Sequence, residues 1–133
     1  MIRHGRIEQL TQDHSLVMEQ VRHGLISKDA EAVQLGQNIL TRSLGTDADV
    51  KVDLDEHPLF PDDVVLLCSD GLNKEMNDNA ILRTVMQNAE PKQIAERLIK
   101  MANDSGGRDN ITVAVACIEK APWGQRLSQL LKR

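Results

Sequence analysis

The sequence contains no long apolar run. Its longest uninterrupted ones, Val64 to Cys68 and Val113 to Ile118, are far shorter than the roughly 20 apolar residues that a helix needs to cross a bilayer. The N-terminus also lacks the apolar region of a signal peptide. We therefore expect a cytoplasmic protein with no membrane partner.

Basic residues are neither in excess nor clustered. The chain has 16 Lys and Arg against 20 Asp and Glu, which gives a formal net charge of -4 at pH 7, and the cations are scattered. A protein that neutralises a phosphate backbone needs a stripe of Lys and Arg on one face. We therefore expect no nucleic-acid partner.

Cysteine is scarce. Cys68 and Cys117 each lie inside an apolar run, where a free thiol behaves as a small hydrophobe. Neither has a second Cys or a His at the sequence spacing of a metal site. Spacing alone leaves a disulfide or a zinc site open, but we favour two buried free thiols in a reducing compartment.

What remains is the composition of an ordinary globular protein. The 133 residues are 41% hydrophobic and 27% charged, values typical of folded domains. The length is that of one domain.

Local patterns predict a mixture of helices and strands. The turn signal His4–Arg6 predicts a hairpin over residues 1–10, while Ser15 and Gly24 are a helix N-cap and a helix end. The further predictions are a weak helix near 29–35, a half-buried strand over 50–54, a strand buried on both faces over 64–68, helices beginning after Asn77 or Asp78 and at Pro91, a central strand over 111–118, and an amphipathic tail over 121–133.

Two aspartates stand beside predicted strands and next to glycine or a glycine pair. Asp70 follows the strand over 64–68, and Asp109 precedes the strand over 111–118. A strand end holds a carboxylate rigidly, and a nearby glycine lets water approach, which suits a hard cation with oxygen ligands. The alternative is that both aspartates only make local hydrogen bonds in a turn and a cap.

Four strings that occur in order carry a family resemblance. They are Leu10–Ser15, Asn38–Gly45, Leu66–Leu72 and Gly106–Val113. Together they resemble the later motifs of the metal-dependent serine/threonine protein phosphatases, the PPM or type 2C family, and in particular its compact bacterial members. The resemblance covers nearly everything up to residue 118.

The resemblance implies an α+β fold, part of an α-β-β-α sandwich of two antiparallel sheets flanked by helices. Residues 1–120 would form the C-terminal part of the phosphatase domain, with a flap at about 16–44 beside the substrate groove. The implied cofactor is Mn²⁺ or Mg²⁺. Asp70 and Asp109 fall on ligands of one central metal, and Asp13 falls on an aspartate that holds a weaker third metal with Asp70. The supporting loop positions are Gly71, Gly107, Asn110 and His14.

The implied reaction is attack by a metal-bridged water or hydroxide on a phosphoserine or phosphothreonine of a protein substrate, without a phosphoenzyme. No catalytic residue beyond the metal ligands is identified. For His14 we weigh orientation of its loop against a local hydrogen bond. For Arg42 we favour a structural ion pair over a phosphate ligand.

The sequence departs from the family pattern at its start. The family's arginine with a Glu-Asp pair and its Asp-Gly-x-Gly-Gly-His string are both absent, so we expect the family's N-terminal strands and several of its metal ligands to be missing. We therefore expect the chain alone to be incomplete for catalysis and to need an N-terminal half or a second copy. The alternative function is a non-catalytic, phosphatase-like module that binds a protein partner.

Overall fold

The computed structural model describes residues 1–27, 39–45, 48–87 and 89–120. It divides into two compact units, one of Met1–Gln9 with the chain from Pro58 onward, and one of Leu10–His57. The predictions for residues 29–35 and 121–133 lie outside the described residues. No helix in the described ranges is long and apolar enough to cross a membrane.

The first unit contains a four-stranded antiparallel sheet. Strands β1 (Ile2–Arg3) and β2 (Arg6–Ile7) form the predicted hairpin, whose turn has positive φ at both His4 and Gly5, as a two-residue hairpin turn requires. Strands β3 (Val64–Cys68) and β4 (Val113–Cys117) complete the order β2-β1-β3-β4.

Four helices lie within the described residues. Helix α1 (Leu16–Arg22) belongs to the second unit, and Ser15 caps it by accepting a hydrogen bond from the amide of Met18. Helices α2 (Asp70–Glu75), α3 (Asp78–Val85) and α4 (Pro91–Asp104) belong to the first. The predicted starts of α1, α3 and α4 are confirmed, since Asn77 caps α3 and Pro91 opens α4. Helix α2 was not predicted.

The core of the first unit lies on one face of the sheet. Its buried side chains come from β1, from the three helices and from the residue that follows α2: Ile2, Leu72, Met76, Ile81, Val85, Ile94, Leu98 and Ala102. Alternate residues of β3 and β4 pack against this cluster, as the period of a strand requires.

The structure corrects three predictions about the two long strands and their cysteines. Strand β3 is not buried on both faces, because Leu67, on the face away from the core, is 65% exposed. Cys68 is on the core face but at the end of the strand, and it is exposed as well. Within the described residues β4 is an edge strand and not a central one. Neither cysteine forms a disulfide, and only Cys117 is partly buried. Helices cover one side of the sheet here, which the local sequence could not reveal.

Residues 50–54 form no strand. Their alternating pattern predicted a half-buried one, but Leu54 is 88% exposed. An apolar alternation makes a strand only where a partner supplies hydrogen bonds and cover.

An ion pair ties β1 to the residue before β3. The guanidinium of Arg3 donates to both carboxylate oxygens of Asp63, at 2.8 and 2.7 Å, and the amide of Phe60 donates to Asp63 Oδ2 at 2.6 Å. The Asp63 side chain is almost completely buried. The Arg3 hydrogen bond, with help from the Phe60 amide, lowers the pKa of Asp63 to about 2.

Candidate metal centre

Sheet topology brings Asp70 and Asp109 to the same edge. Strands β3 and β4 are antiparallel and Cys68 pairs with Val113, so the end of β3 lies beside the start of β4. Asp70 follows the end of β3, and Asp109 precedes the start of β4. The two residues are therefore neighbours in space although they are far apart in sequence.

Ser69 joins the two chain segments. Its amide donates to the carbonyl of Thr112 at 3.0 Å, and its hydroxyl accepts from the Thr112 amide at 3.0 Å and donates to the Asn110 carbonyl at 2.9 Å. These bonds extend the pairing of β3 and β4 beyond the strands themselves and fix the main chain beside Asp109.

Gly71 allows α2 to approach this loop closely. A Cβ atom at Gly71 would lie 2.4 Å from the carbonyl oxygen of Asn110, which is closer than real contacts allow. Glycine is therefore required at this position on steric grounds, and the supporting role of Gly71 in a metal site stays a prediction. Gly107 has φ +56°, and a Cβ atom there would lie 3.0 Å from Asn103 Oδ1, so this position also favours glycine.

The carboxylates of Asp70 and Asp109 point at the same cation. Lys74 Nζ lies 2.9 Å from Asp70 Oδ2 and 2.6 Å from Asp109 Oδ2. The hydrogen bond from Lys74, followed by that from the Asn110 amide, lowers the pKa of Asp109, and the same bond to Asp109 is the main reason why the pKa of Lys74 is raised. Both groups are therefore charged at neutral pH. Sequence reasoning missed Lys74, whose only signal was its spacing from Asp70 in a helix that was not predicted.

The donors fit a hard divalent ion in kind, but not a closed site in number. Carboxylate oxygens suit Mg²⁺ and Mn²⁺, and the Asp70 side chain is 73% exposed and that of Asp109 38% exposed, which leaves room for water. Among the described residues, no group of three or more His, Cys, Asp or Glu side chains could hold a metal. The pair alone therefore fits a weak, water-rich site.

Asp13 lies in the second unit and is exposed. Asp70 and Asp109 belong to the first unit, so the structure does not join Asp13 to them within one unit. Its role in a third metal site stays a prediction.

His14 and Arg42 contact the same carboxylate. His14 Nε2 lies 2.9 Å from Asp53 Oδ2, and Arg42 Nη1 lies 3.0 Å from the same oxygen. Arg42 also donates to the carbonyl of Lys51 at 3.0 Å, and its hydrogen bond is the main cause of the lowered pKa of Asp53. Arg42 is thus in a structural ion pair, as we expected, and the partners of His14 are distant in sequence and not local.

Comparison with known proteins identifies the family. The family model described as Stage II sporulation protein E (SpoIIE) matches residues 16–119. A curated relative, the serine/threonine phosphatase stp of Listeria welshimeri, is 38% identical over 113 residues, which is 85% of this chain and 45% of that protein.

Solved structures agree with this match. The serine/threonine phosphatase of S. agalactiae has a TM-score of 0.82 and 37% identity, covering 88% of this chain and 48% of that one. The catalytic domain of the phosphatase PstP, solved in complex with two manganese ions, has a TM-score of 0.70 and 34% identity, covering 89% of this chain and 48% of that one.

The chain spans about half the length of the curated relatives it matches. That coverage fits the expectation that it corresponds to the C-terminal part of such a protein. Mixed helices and an antiparallel sheet, the ordered motifs and the matches over most of the chain agree with one another. The chain belongs to the PPM-type family of serine/threonine protein phosphatases.

Proposed function

We propose that Asp70 and Asp109 hold a Mn²⁺ or Mg²⁺ ion in an enzyme that hydrolyses phosphoserine and phosphothreonine in proteins. The observation that carries the proposal is the convergence of both carboxylates on the single ammonium group of Lys74. Side chains that already share one cation need little rearrangement to share another. The relatives named above support the reaction class, and the cytoplasmic location expected from the sequence is part of the same proposal.

The chemistry of such a site divides between the ion and the chain. A bound divalent ion stabilises charge on phosphate oxygens and lowers the pKa of water. The residues of the chain bind and orient. Asp109 Oδ1 accepts from the amide of Asn110 at 2.8 Å, which fixes the carboxylate, and Asp70 is held in the first turn of α2. Lys74 has a flexible side chain that can withdraw when both carboxylates take another cation.

The second unit contributes the remaining parts of the proposal. Asp13 is the proposed partner of Asp70 in a weaker third site. The proposed flap beside the substrate is residues 16–44, of which 28–38 lie outside the described residues. Within this unit α1 is tied to a later segment, since the amide of Leu16 donates to the carbonyl of Ile39 and that of Thr41 to the carbonyl of His14, each at 2.9 Å. The pairing fixes the residue next to Asp13.

Further ligands must complete the metal shell. Mg²⁺ and Mn²⁺ require about six oxygen ligands, and two carboxylates leave most of these to water and to other groups. We expect an N-terminal half or a second copy of the chain to supply them. The exposed apolar residues Leu67, Ala114 and Ala116 lie on the uncovered face of the sheet, and such a face favours association.

Manganese binding tests the proposal directly. Titration of the full chain with Mn²⁺, followed by electron paramagnetic resonance, should show weak saturable binding that Asp109→Asn abolishes. Asp104→Asn is the matched control, because Asp104 is an exposed helical aspartate paired with Lys100. Loss of binding in both variants, or in neither, would contradict the proposed site.

A non-catalytic binding module is the second candidate function. The observation that favours it is the small number of ligands within the described residues. Hydrolysis of a small phosphate ester in the presence of Mn²⁺ distinguishes the two functions. The chain is assayed alone and together with an N-terminal half from a relative. Turnover by the mixture that Asp109→Ala removes supports the enzyme. No turnover in either assay, with retained binding of a protein partner, supports the non-catalytic module.

A further inference from the structure

Glu75 is a buried charge at the end of α2. Its side chain is 2% exposed, although a glutamate is rarely buried to this extent unless it is paired. It lies in the same helix as Asp70 and Lys74, and its ion-pair partner is a different residue, Arg108. A buried carboxylate beside a metal-binding loop requires an explanation.

The partner of Glu75 is the residue that precedes Asp109. Glu75 Oε1 accepts from the backbone amide of Arg108 at 3.2 Å and from Arg108 Nε at 2.9 Å. The second oxygen, Oε2, accepts from Arg108 Nη2 at 3.4 Å. The side-chain bond and then the backbone bond lower the pKa of Glu75, so the group is a carboxylate at neutral pH.

The contact with the backbone amide matters more than the contact with the guanidinium. The Arg108 side chain is 76% exposed, and holding such a long side chain in one geometry has an entropic cost. The amide, in contrast, belongs to the main chain immediately before Asp109. Gly106 adds a second point of contact, because a Cβ atom there would lie 3.1 Å from Glu75 Oε2. The carboxylate of Glu75 therefore seats the main chain of this loop.

Helix α2 thus connects the two candidate ligands. Its first residue is Asp70, and its last residue, Glu75, holds the main chain that leads into Asp109. We propose that Glu75 is a positioning residue that fixes Asp109 beside Asp70 and thereby sets the affinity for a divalent cation, an inference that rests on the proposed metal site. Partners that orient metal ligands typically change affinity by about ten- to a hundredfold when they are removed.

Three variants of the full chain grade the contact. Glu75→Ala removes both oxygens, Glu75→Gln keeps one acceptor for the Arg108 amide, and Arg108→Ala keeps the amide but removes the guanidinium. Glu96→Ala is the matched control, since it removes an exposed carboxylate from the interior of α4 that pairs with Lys92 at 3.8 Å. If Glu75→Ala does not fold, the other two variants still report on the contact.

Mn²⁺ affinity is the first measurement. We expect Glu75→Ala to weaken binding by about tenfold or more, Glu75→Gln and Arg108→Ala to weaken it less, and Glu96→Ala to leave it unchanged. A merely structural role for Glu75 would lower the Tm without this loss of affinity in the folded variant. Unchanged affinity in folded Glu75→Ala would overturn the proposal.

A metal-free measurement keeps this proposal separate from the proposed function. Nuclear Overhauser contacts between the side chains of Lys74 and Asp109 should be present in the parent chain and in Glu96→Ala, and should be lost in Glu75→Ala. Their persistence in Glu75→Ala would overturn the positioning role even if the parent binds Mn²⁺. If the contacts are lost in Glu75→Ala but the parent chain binds no Mn²⁺, the positioning role of Glu75 is supported and the metal site is rejected.

Discussion

Gly71 lies where α2 closely approaches the loop that contains Asp109. Replacing it with alanine has two effects on stability that oppose each other. Alanine is favoured over glycine in a helix by about 1 kcal/mol. Against this, the added Cβ atom would lie 2.4 Å from the carbonyl oxygen of Asn110 and 3.3 Å from Cγ1 of Ile111. The first neighbour is main chain and cannot rotate away, so the helix or the loop must move.

The steric effect should outweigh the helical gain. Overpacking at a well-packed site costs about 1–3 kcal/mol, and displacing the Asn110 carbonyl also weakens its bond from Ser69, at a cost of about 1 kcal/mol. We therefore expect Gly71→Ala to lower the free energy of unfolding by about 1–3 kcal/mol after the helical gain is subtracted. For a chain of this size that is a fall in Tm of roughly 3–10 °C.

Thermal and urea unfolding of the full chain measure the effect. Asn79→Ala in α3 is the control for helix propensity, because Asn79 is exposed, and it should be neutral or slightly stabilising. Mn²⁺ binding should weaken in Gly71→Ala as well, since Asn110 follows Asp109. A Gly71→Ala protein as stable as the parent or more so would refute the reasoning, because it would mean that the two segments are not in contact.

Three further predictions concern a charged contact, the shared cation and a helix cap. The pKa of Asp63 is about 2 in the folded protein and 3.8 ordinarily, so its contribution to the free energy of unfolding is fully present above about pH 4 and is lost as the pH falls toward 2. Asp63→Asn should flatten this part of the pH profile of unfolding. Asp62→Asn, at an exposed neighbour, should not. Lys74→Met should strengthen Mn²⁺ binding severalfold, because a competing cation is removed from both carboxylates. Calorimetry measures this affinity. Weaker binding in the variant would show instead that the ammonium holds the ligands in place. Asn77→Ala should lower the free energy of unfolding in urea by about 1 kcal/mol, because it removes the cap of α3. An effect no larger than that of Asn79→Ala would mean that the cap contributes nothing.

Local chemistry explains which predictions succeeded. Ser15 and Asn77 cap helices through side-chain bonds to amides three residues away, and Pro91 opens α4 because its missing amide proton is not needed there. The hairpin turn at His4 and Gly5 requires positive φ at adjacent positions. Each of these signals depends on a few neighbouring residues, so the amino-acid order alone determined them. The ordered motifs around Asp70 and Asp109 identified the family in the same way.

Tertiary structure decided everything that depends on distant partners. Leu67 looks like a core residue in sequence, yet it is exposed because the described helices lie on the other face of β3. Cys68 is on the face that the helices cover, but it is the last residue of the strand and is exposed as well. Lys74 meets Asp109 across 35 positions of the chain, and Glu75 meets Arg108 across 33. No local pattern encodes such contacts, since they arise only when β3 and β4 pair antiparallel and bring both loops to one edge of the sheet.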